Sequence, residues 1–400
     1  MKEVNSPSPG EVFRLLHIVD GCERHATWRK ELPDNRFFRN FLTFSDTDNV
    51  KNYYIVPNTD TASLIKSPNK ISLSYDRPTK EVLLDIINTA QSINPHGILV
   101  SSQFPEMLME SLKRICPNYN FVMHGLVNEQ VFTFMPRLAS IFNKNWSGYK
   151  RYFGYGNVFE KFVKQVVPGA NIFLCGLPQM EYGKTLDWSV ERQNLLKEFS
   201  LPCDKKIVLF VPGGVNNIYH QDYKEYVEQL SSLVKLSKEM NFHLIVKTKQ
   251  DVMTSWDKPP TPPTNQRILD LYKKDNVDLV KSNKPIYPYL AADVTVVQHT
   301  SSVTIECLML DRNVIDIEYF TSDDYFHMSR FDSLPNATNF NELEYWLSKC
   351  LEGNLCEDKN FRLERAELFE KIGVAHQSEW GGISENIIEE ISDRYRIAKV

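Results

Sequence analysis

Small hydroxyl residues stand where a strand-like run of this sequence meets a helix-like one. Thr300, Ser301 and Ser302 follow the apolar run 293–298 and open the periodic segment 302–310. Hydroxyl groups, free backbone N–H groups and the positive end of a helix dipole come together at such a turn. The pattern predicts a site for a phosphate or pyrophosphate. The alternative is an ordinary N-cap, in which Thr300 or Ser301 only closes the helix.

Charged residues near the same turn extend this predicted phosphate site. Lys247 and Lys249 stand at and just beyond the end of another apolar run, 243–247, and they offer the positive charge that a phosphate needs. His299 either contacts the phosphate or caps its strand. Glu306 lies one turn into the helix that Ser302 opens, and it either faces a nucleotide or packs locally.

One histidine has the setting of a general base. His124 ends the apolar run 121–124 and is followed by Gly125, which lets a ligand approach the backbone. An imidazole titrates near neutral pH, so it can take the proton from a hydroxyl group that attacks a substrate. The alternative is a hydrogen-bonded structural histidine at the end of a strand.

A glycine pair and a second histidine follow the apolar run 206–211. Gly213 and Gly214 allow close approach of a ligand, although they do not form the G-x-G-x-x-G fingerprint. His220 follows and either lines the same region or belongs to a polar turn. No metal site is expected, because the adjacent acids Asp323 and Asp324 are typical of a solvated loop.

The elements that position these residues alternate between short apolar strands and amphipathic helices. Such an order is typical of parallel sheets covered by helices. The pattern begins with the strand-like run 13–19 and restarts at the run 206–211. We therefore expect an N-terminal Rossmann-like domain over 1–180, a nucleotide-binding Rossmann-like domain over 181–375, and a helix in 376–400 that crosses back.

Composition excludes several other classes of protein. The 46 basic and 51 acidic residues give a net charge of −5, which provides no general attraction to nucleic acid. Seven scattered cysteines without a C-x-x-C pair favour neither a disulfide framework nor a zinc site. No apolar signal core or membrane span is present, so a cytoplasmic protein is expected, with any membrane contact made at the inner face.

Several short motifs resemble the CDP-glycerol glycerophosphotransferase and capsule-synthesis group of GT-B enzymes. The resemblance covers about residues 95–330, and its motifs are these: FVMHGL at 121–126, IFLCGLPQME at 172–181, the strand from Lys206, and Asp293 followed by Ser301-Ser302-Val303, Glu306 and the strand after Arg312-Asn313. It implies a GT-B fold, in which two doubly wound Rossmann-like domains face a central cleft. It also implies a metal-independent transferase without a cofactor.

The chain departs from that pattern in ways that concern the donor. Gln179 and Glu181 stand where the group has arginine and aspartate, and the segment 246–249 lacks the group's His-Pro element. The expected donor is therefore a nucleotide sugar, a CMP-linked sugar or CDP-glycerol. The expected acceptor is a hydroxyl of a surface polysaccharide or lipid-linked glycan, as in capsule, lipopolysaccharide or teichoic-acid-like polymers.

Two other functions remain open at this level. The first is a nucleotide-sugar epimerase, which would need paired carboxylates that the sequence does not place. The second is an inactive module that binds a nucleotide or glycan. The aromatic and basic stretch 145–155 either contacts a membrane surface or packs as a helix with an aromatic stripe.

Overall fold

The computed structural model describes most of the chain. The described residues are 11–19, 41–56, 65–73, 79–101, 106–123, 148–212, 223–247, 270, 272–275, 277–280, 286–298, 301–319, 328–353, 355–374 and 382–392. The chain divides into two compact units. Unit 1 comprises Met1–Tyr182 and Ile372–Val400, and unit 2 comprises Gly183–Lys371.

Unit 1 is built on a seven-stranded parallel sheet with the order β3-β2-β1-β4-β5-β6-β7. Its strands are β1 (Phe13–Ile18), β2 (Val50–Val56), β3 (Lys70–Ser72), β4 (Gly97–Val100), β5 (Tyr119–Val122), β6 (Arg151–Gly154) and β7 (Ile172–Leu174). The central strands are almost continuously apolar because helices cover both faces of such a sheet. Every residue of β4, β5 and β6 is buried.

The described helices of unit 1 alternate with these strands. They are α1 (Thr79–Ile93), α2 (Glu106–Ile115), α3 (Asn157–Val166) and α4 (Pro178–Lys184), whose last residues enter unit 2, and a later helix, Ile383–Ser392, that follows unit 2 in the chain. In α3 the residues Val158, Phe159, Phe162, Val163 and Val166 are buried, which is the spacing of one helical face.

Unit 2 contains a six-stranded parallel sheet with the order β10-β9-β8-β11-β12-β13. The strands are β8 (Lys206–Val211), β9 (Phe242–Lys247), β10 (Asp278–Val280), β11 (Val294–Gln298), β12 (Val314–Ile317) and β13 (Asn336–Ala337). Numbered within the unit, this is the order 3-2-1-4-5-6 of the doubly wound dinucleotide-binding fold. The strand order reverses between β8 and β11.

The described helices of unit 2 are α5 (Trp188–Glu198), α6 (Tyr223–Glu239), α7 (Ser302–Met309), α8 (Phe340–Glu352) and α9 (Lys359–Lys371). The returning helix of unit 1, Ile383–Ser392, follows these in the chain and is α10. One face of the sheet packs against α6 and α8 in a core that includes Phe210, Leu233, Val246, Ile315 and Leu347. Helix α7 follows β11 and contacts β12.

The expected fold class is confirmed, since both units are Rossmann-like α/β domains with parallel sheets. In the stretch 145–155, the aromatic residues of the described part pack in the core, as one of the two alternatives held, but from a strand and not from a helix. This part contains the buried strand β6, and Tyr149, Tyr152, Phe153 and Tyr155 are core residues. Tyr149 stacks on Tyr119 of the neighbouring strand, and the other rings contact Phe121, Phe159 and Phe173 in tilted arrangements. They are therefore not available to a membrane surface.

Candidate functional site

The candidate site lies at the carboxyl edge of the sheet in unit 2. In open parallel sheets ligands bind beyond the carboxyl ends of the strands, at the point where the strand order reverses. Here that point lies between β8, which ends at Val211, and β11, which ends at Gln298. The chain leaves β11 toward Ser301, and it leaves β8 toward the glycine pair at 213–214.

The start of α7 is a closed capping box. Ser301 is the N-cap, and its hydroxyl accepts a hydrogen bond from Val303 N at 3.1 Å. Its own N–H donates to Thr304 Oγ1 at 3.4 Å. The N-cap interpretation is therefore correct for the Ser301 hydroxyl. Ser302, at the first helical position and half-buried, forms no side-chain hydrogen bond to another described residue.

A buried carboxylate accepts a hydrogen bond from one residue of this capping box. Asp316, on β12, accepts a hydrogen bond from Thr304 Oγ1 at 3.4 Å, and both side chains are fully buried. The sequence did not single out Thr304. Its signal is the spacing Ser-x-x-Thr, a variant of the capping box in which threonine occupies the third helical position.

Glu306 is also fully buried, within α7. A buried carboxylate requires hydrogen-bond donors around it. Its position in the second turn fits a role inside the core of unit 2 or against a ligand that itself becomes buried. It does not present its charge to solvent.

Lys247 reaches the same edge from the other side of β8. It is the last residue of β9, and its side chain is 7% exposed. The register pairs Phe210 with Val246 and Val211 with Val297, so Lys247 lies level with the ends of β8 and β11. Two strand spacings, about 10 Å, separate β9 from β11. The backbone thus brings Lys247 and the α7 start to one edge of one sheet.

Other predicted site residues lie outside the described part of the chain. These are His124, Gly213, Gly214, His220, Lys249, His299 and Thr300, and also the acidic pair Asp323 and Asp324. The strand that leads to His124 is described. It ends at Val122, and Met123 N donates to Phe153 O at 2.9 Å.

Asp293, part of the family-like motif, lies at the opposite, amino edge of the sheet in unit 2. Its carboxylate pairs with Arg192 Nη1 at 2.8 Å and accepts a hydrogen bond from Ile207 N at 2.7 Å. Lys206 Nζ approaches at 3.4 Å. Asp293 therefore joins β11 to β8 and α5, far from the carboxyl ends of the strands.

Arg312 and Asn313 serve the same amino edge. Arg312 donates to Leu290 O and Ala292 O, and its guanidinium stacks on Trp188. Asn313 Nδ2 donates to the carbonyls of Asp293, Cys350 and Gly353. A small cavity of about 230 Å³ opens among these groups. Because Arg312 and Asn313 already donate hydrogen bonds to backbone carbonyls, we assign this edge a structural role and not a ligand-binding one.

Two further carboxylates, Asp187 and Glu181, accept hydrogen bonds at the starts of helices. Asp187 is the N-cap of α5 and accepts hydrogen bonds from Ser189 N and Val190 N. The Ser189 hydroxyl also donates to this carboxylate. Its hydrogen bond contributes most to lowering the pKa of Asp187, and the two backbone bonds add to the effect. Glu181 accepts hydrogen bonds from Ser384 N and Oγ at 3.0 and 2.7 Å.

Two kinds of feature are absent from the described residues. No group of three His, Cys, Asp or Glu side chains there is arranged to hold a metal ion. No described helix combines the length and apolar character needed to cross a membrane.

Six cysteines in the described part of the chain are free thiols, and burial raises the pKa of Cys307 to about 12.

Comparison with known proteins identifies the fold. No family model and no curated protein sequence matches the chain. Among solved structures, the wall teichoic acid polymerase TagF (H548A variant) superposes with a TM-score of 0.59 at 13% identity, covering 99% of this chain and 91% of that one.

Two further structures have the same fold. The UDP-GlcNAc 2-epimerase from Neisseria meningitidis, bound to UDP-GlcNAc, gives a TM-score of 0.58 at 13% identity, over 95% of this chain and all (100%) of that chain. A glycosyltransferase from Rickettsia africae gives 0.52 at 12% identity, over 96% and 98%. The GT-B-like fold that the motifs implied is thereby confirmed, and it matches the suspected group at the level of fold.

Proposed function

We propose that this chain is a GT-B transferase that uses a nucleotide-activated donor. The observation that carries the proposal is the carboxyl edge of unit 2. At this edge the strand order reverses between β8 and β11. The helix start with Ser301 and Ser302 follows β11 on one side of β8, and the buried Lys247 ends β9 on the other side. A phosphate is stabilised by such a combination of N–H groups, hydroxyls and positive charge.

The solved structures with this fold support a nucleotide ligand. One TagF variant was soaked with CDPG, the Neisseria epimerase holds UDP-GlcNAc, and the MnaA protein of S. aureus was solved with UDP. We propose that this chain transfers a sugar or polyol phosphate from such a donor to a hydroxyl of a surface polysaccharide or a lipid-linked glycan. An acceptor on a lipid would place the reaction at the inner face of the membrane.

The chemistry assigned to each residue is simple. The acceptor oxygen forms a bond to the transferred carbon or phosphorus, and the bond from that atom to the nucleotide phosphate oxygen breaks. His124 takes the proton of the acceptor hydroxyl. The electron pair leaves with the nucleotide, whose added negative charge is stabilised by Lys247 and by the Ser302 hydroxyl and N–H. No metal ion is required in this scheme.

Nucleotide binding is the first test. Thermal shift with CMP, CDP, UMP, UDP, GDP and TDP should identify the base, because a ligand of the native state alone raises apparent stability. Titration calorimetry with that nucleotide then compares Lys247→Ala and Ser302→Ala with Lys206→Ala. Lys206 begins β8 at the opposite edge of the same sheet and is about half exposed (49%). We expect a loss of roughly tenfold for the first two variants, about 1.4 kcal/mol.

Transfer itself is tested at His124. We expect His124→Ala to retain nucleotide affinity and to lose turnover by about two to four orders of magnitude, as for removal of a general base. Full turnover in this variant would remove His124 from the mechanism. Unchanged nucleotide affinity in both Lys247→Ala and Ser302→Ala would remove the carboxyl edge of unit 2 from the site.

An epimerase is the second candidate, favoured by the fold shared with the Neisseria enzyme. The two reactions are distinguished by incubating the chain with the nucleotide sugar alone. An epimerase changes the sugar without an acceptor, whereas a transferase requires one. A module without catalysis would bind the nucleotide and leave both the donor and the sugar unchanged.

A further inference from the structure

The returning helix α10 belongs to unit 1 although it follows unit 2 in the chain. Ile383, Ile387 and Ile391 are fully buried, at the i, i+4, i+8 spacing of one helical face. This face packs so closely at Gly97, the first residue of β4, that an added Cβ would lie 2.8 Å from Ile391 Cγ2. The amino edge of the first sheet is therefore fitted to this helix.

A buried arginine depends on α10 for its counter-charge. Arg151, the first residue of β6, is 1% exposed, and its Nε lies 3.0 Å from Glu390 Oε1. Its Nη1 donates to Asn118 Oδ1 at 3.0 Å, while its buried Nη2 has no hydrogen-bond partner in the described part of the chain. A buried cation that loses its carboxylate is strongly destabilising, because the remaining charge stays out of water.

An asparagine links the same strands to the backbone of α10. Asn118 Nδ2 donates to His96 O at 3.0 Å and to Ile391 O at 3.2 Å. Ile391 lies in the last turn of α10, where backbone carbonyls lack partners within the helix. Without the helix, the Asn118 side chain would lose one of its acceptors in the interior.

The first turn of α10 is held by residues from the part of unit 1 that precedes unit 2. Ser384 N and Oγ donate to Glu181, and the Ser384 hydroxyl also contacts the Thr43 hydroxyl. A carboxylate at the amino end of a helix is favourable because it complements the helix dipole. Glu181 stands two residues before unit 2 begins at Gly183.

From these contacts we propose that α10 is a strap that closes unit 1. Unit 1 reaches its stable form only when residues beyond unit 2 have docked, whereas the described strands of unit 2 lie within one continuous stretch, Lys206–Ala337. The consequence is an order of assembly. Unit 2 becomes protected first, and β4, β5 and β6 become protected together with α10.

Hydrogen exchange of the full-length chain tests the energetic part. Glu390→Gln removes the charge facing Arg151, and Glu389→Gln is the matched control on the exposed side of the same helix. We expect Glu390→Gln to speed exchange in β4–β6 at least tenfold, one decade or about 1.4 kcal/mol. Strands β8, β9 and β11 should be unchanged. Equal effects of the two variants, or equal effects on both units, would overturn the proposal.

Pulse labelling during refolding of the full-length chain tests the order. We expect the amides of β8, β9 and β11 to become protected in an early phase. The amides of β4–β6 should become protected later, in the same phase as those of α10. Protection of β4–β6 before α10 would overturn the proposal. Nucleotide binding has no part in either measurement, so the strap and the proposed function are tested separately.

Discussion

A buried histidine in unit 1 should make the protein sensitive to mild acid. His17, on β1, is fully buried, stacks on Tyr54 and is flanked by Phe44. Its Nε2–H donates to Asn52 Oδ1 at 2.8 Å, and its buried Nδ1 has no hydrogen-bond partner among the described residues. Protonation would place an N–H and a charge at Nδ1, where no described group accepts the hydrogen bond. Burial, opposed in part by the bond to Asn52, therefore lowers the pKa of His17 from 6.5 to about 4.

The size of the effect follows from proton linkage. Between pH 6.5 and 4 the unfolded chain binds this proton and the folded chain does not, so the free energy of unfolding falls as pH falls. The full drop in the pKa of His17, from 6.5 to about 4, corresponds to about 3 kcal/mol, complete below pH 4. Between pH 7 and pH 5 the loss is about 2 kcal/mol.

The assay is hydrogen exchange of amides in β1 and β2 at pH 7 and pH 5, corrected for the intrinsic exchange rate. His17→Gln is the reference, because a glutamine amide can still donate to Asn52 Oδ1 and does not titrate. We expect the protection of wild-type unit 1 to fall about 2 kcal/mol more than that of the variant. The same pH dependence in both proteins would refute the reasoning.

Three further predictions follow from the site and the backbone. Lys247→Ala should weaken nucleotide binding at high salt as much as at low salt, because the lysine is buried and poorly screened; a loss that vanishes in high-salt calorimetry would contradict this. Ser301→Ala should lower the free energy of unfolding by about 1 kcal/mol through loss of the N-cap, while Ser302→Ala changes denaturant midpoints little; equal midpoints would refute the cap. Gly156→Ala should unfold unit 1 in thermal scans, since its Cβ would overlap a backbone carbonyl, whereas Gly353→Ala, with open space, should be neutral.

The fold was predictable because its signals are local. Continuous apolar runs such as 206–211 and 13–19 correspond to β8 and β1, which are largely buried. The periodic segment 302–310 was expected to be helical, and α7 spans Ser302–Met309. Strand β6 was not recognised, because it begins with a buried arginine. Arg151 is stabilised there by hydrogen bonds to Asn118, Asn120 and Glu390, and Glu390 is 239 residues away in the sequence.

The site was predictable only in part, because one sequence pattern serves two purposes. The Ser301-Ser302 pair was expected either to bind phosphate or to cap a helix, and the structure shows the capping box. Thr304 and Asp316, which hold that box, were not connected by sequence since they meet where α7 packs against β12. Lys247 was placed correctly at a strand end, but its burial depends on neighbouring strands.

The family-like residues divide between the two edges of the sheet in unit 2, and this division explains why the resemblance identifies a fold more readily than a donor. Asp293, Arg312 and Asn313 tie the amino edge together through hydrogen bonds and ion pairs. Such interactions stabilise the sheet whatever ligand the chain binds. In the proposed function the donor binds at the carboxyl edge, where Ser302 and Lys247 lie and where the chain lacks the group's His-Pro element. Substitutions at the amino edge should therefore lower stability and leave nucleotide affinity unchanged, whereas Ser302→Ala and Lys247→Ala should weaken binding of the nucleotide through its phosphates.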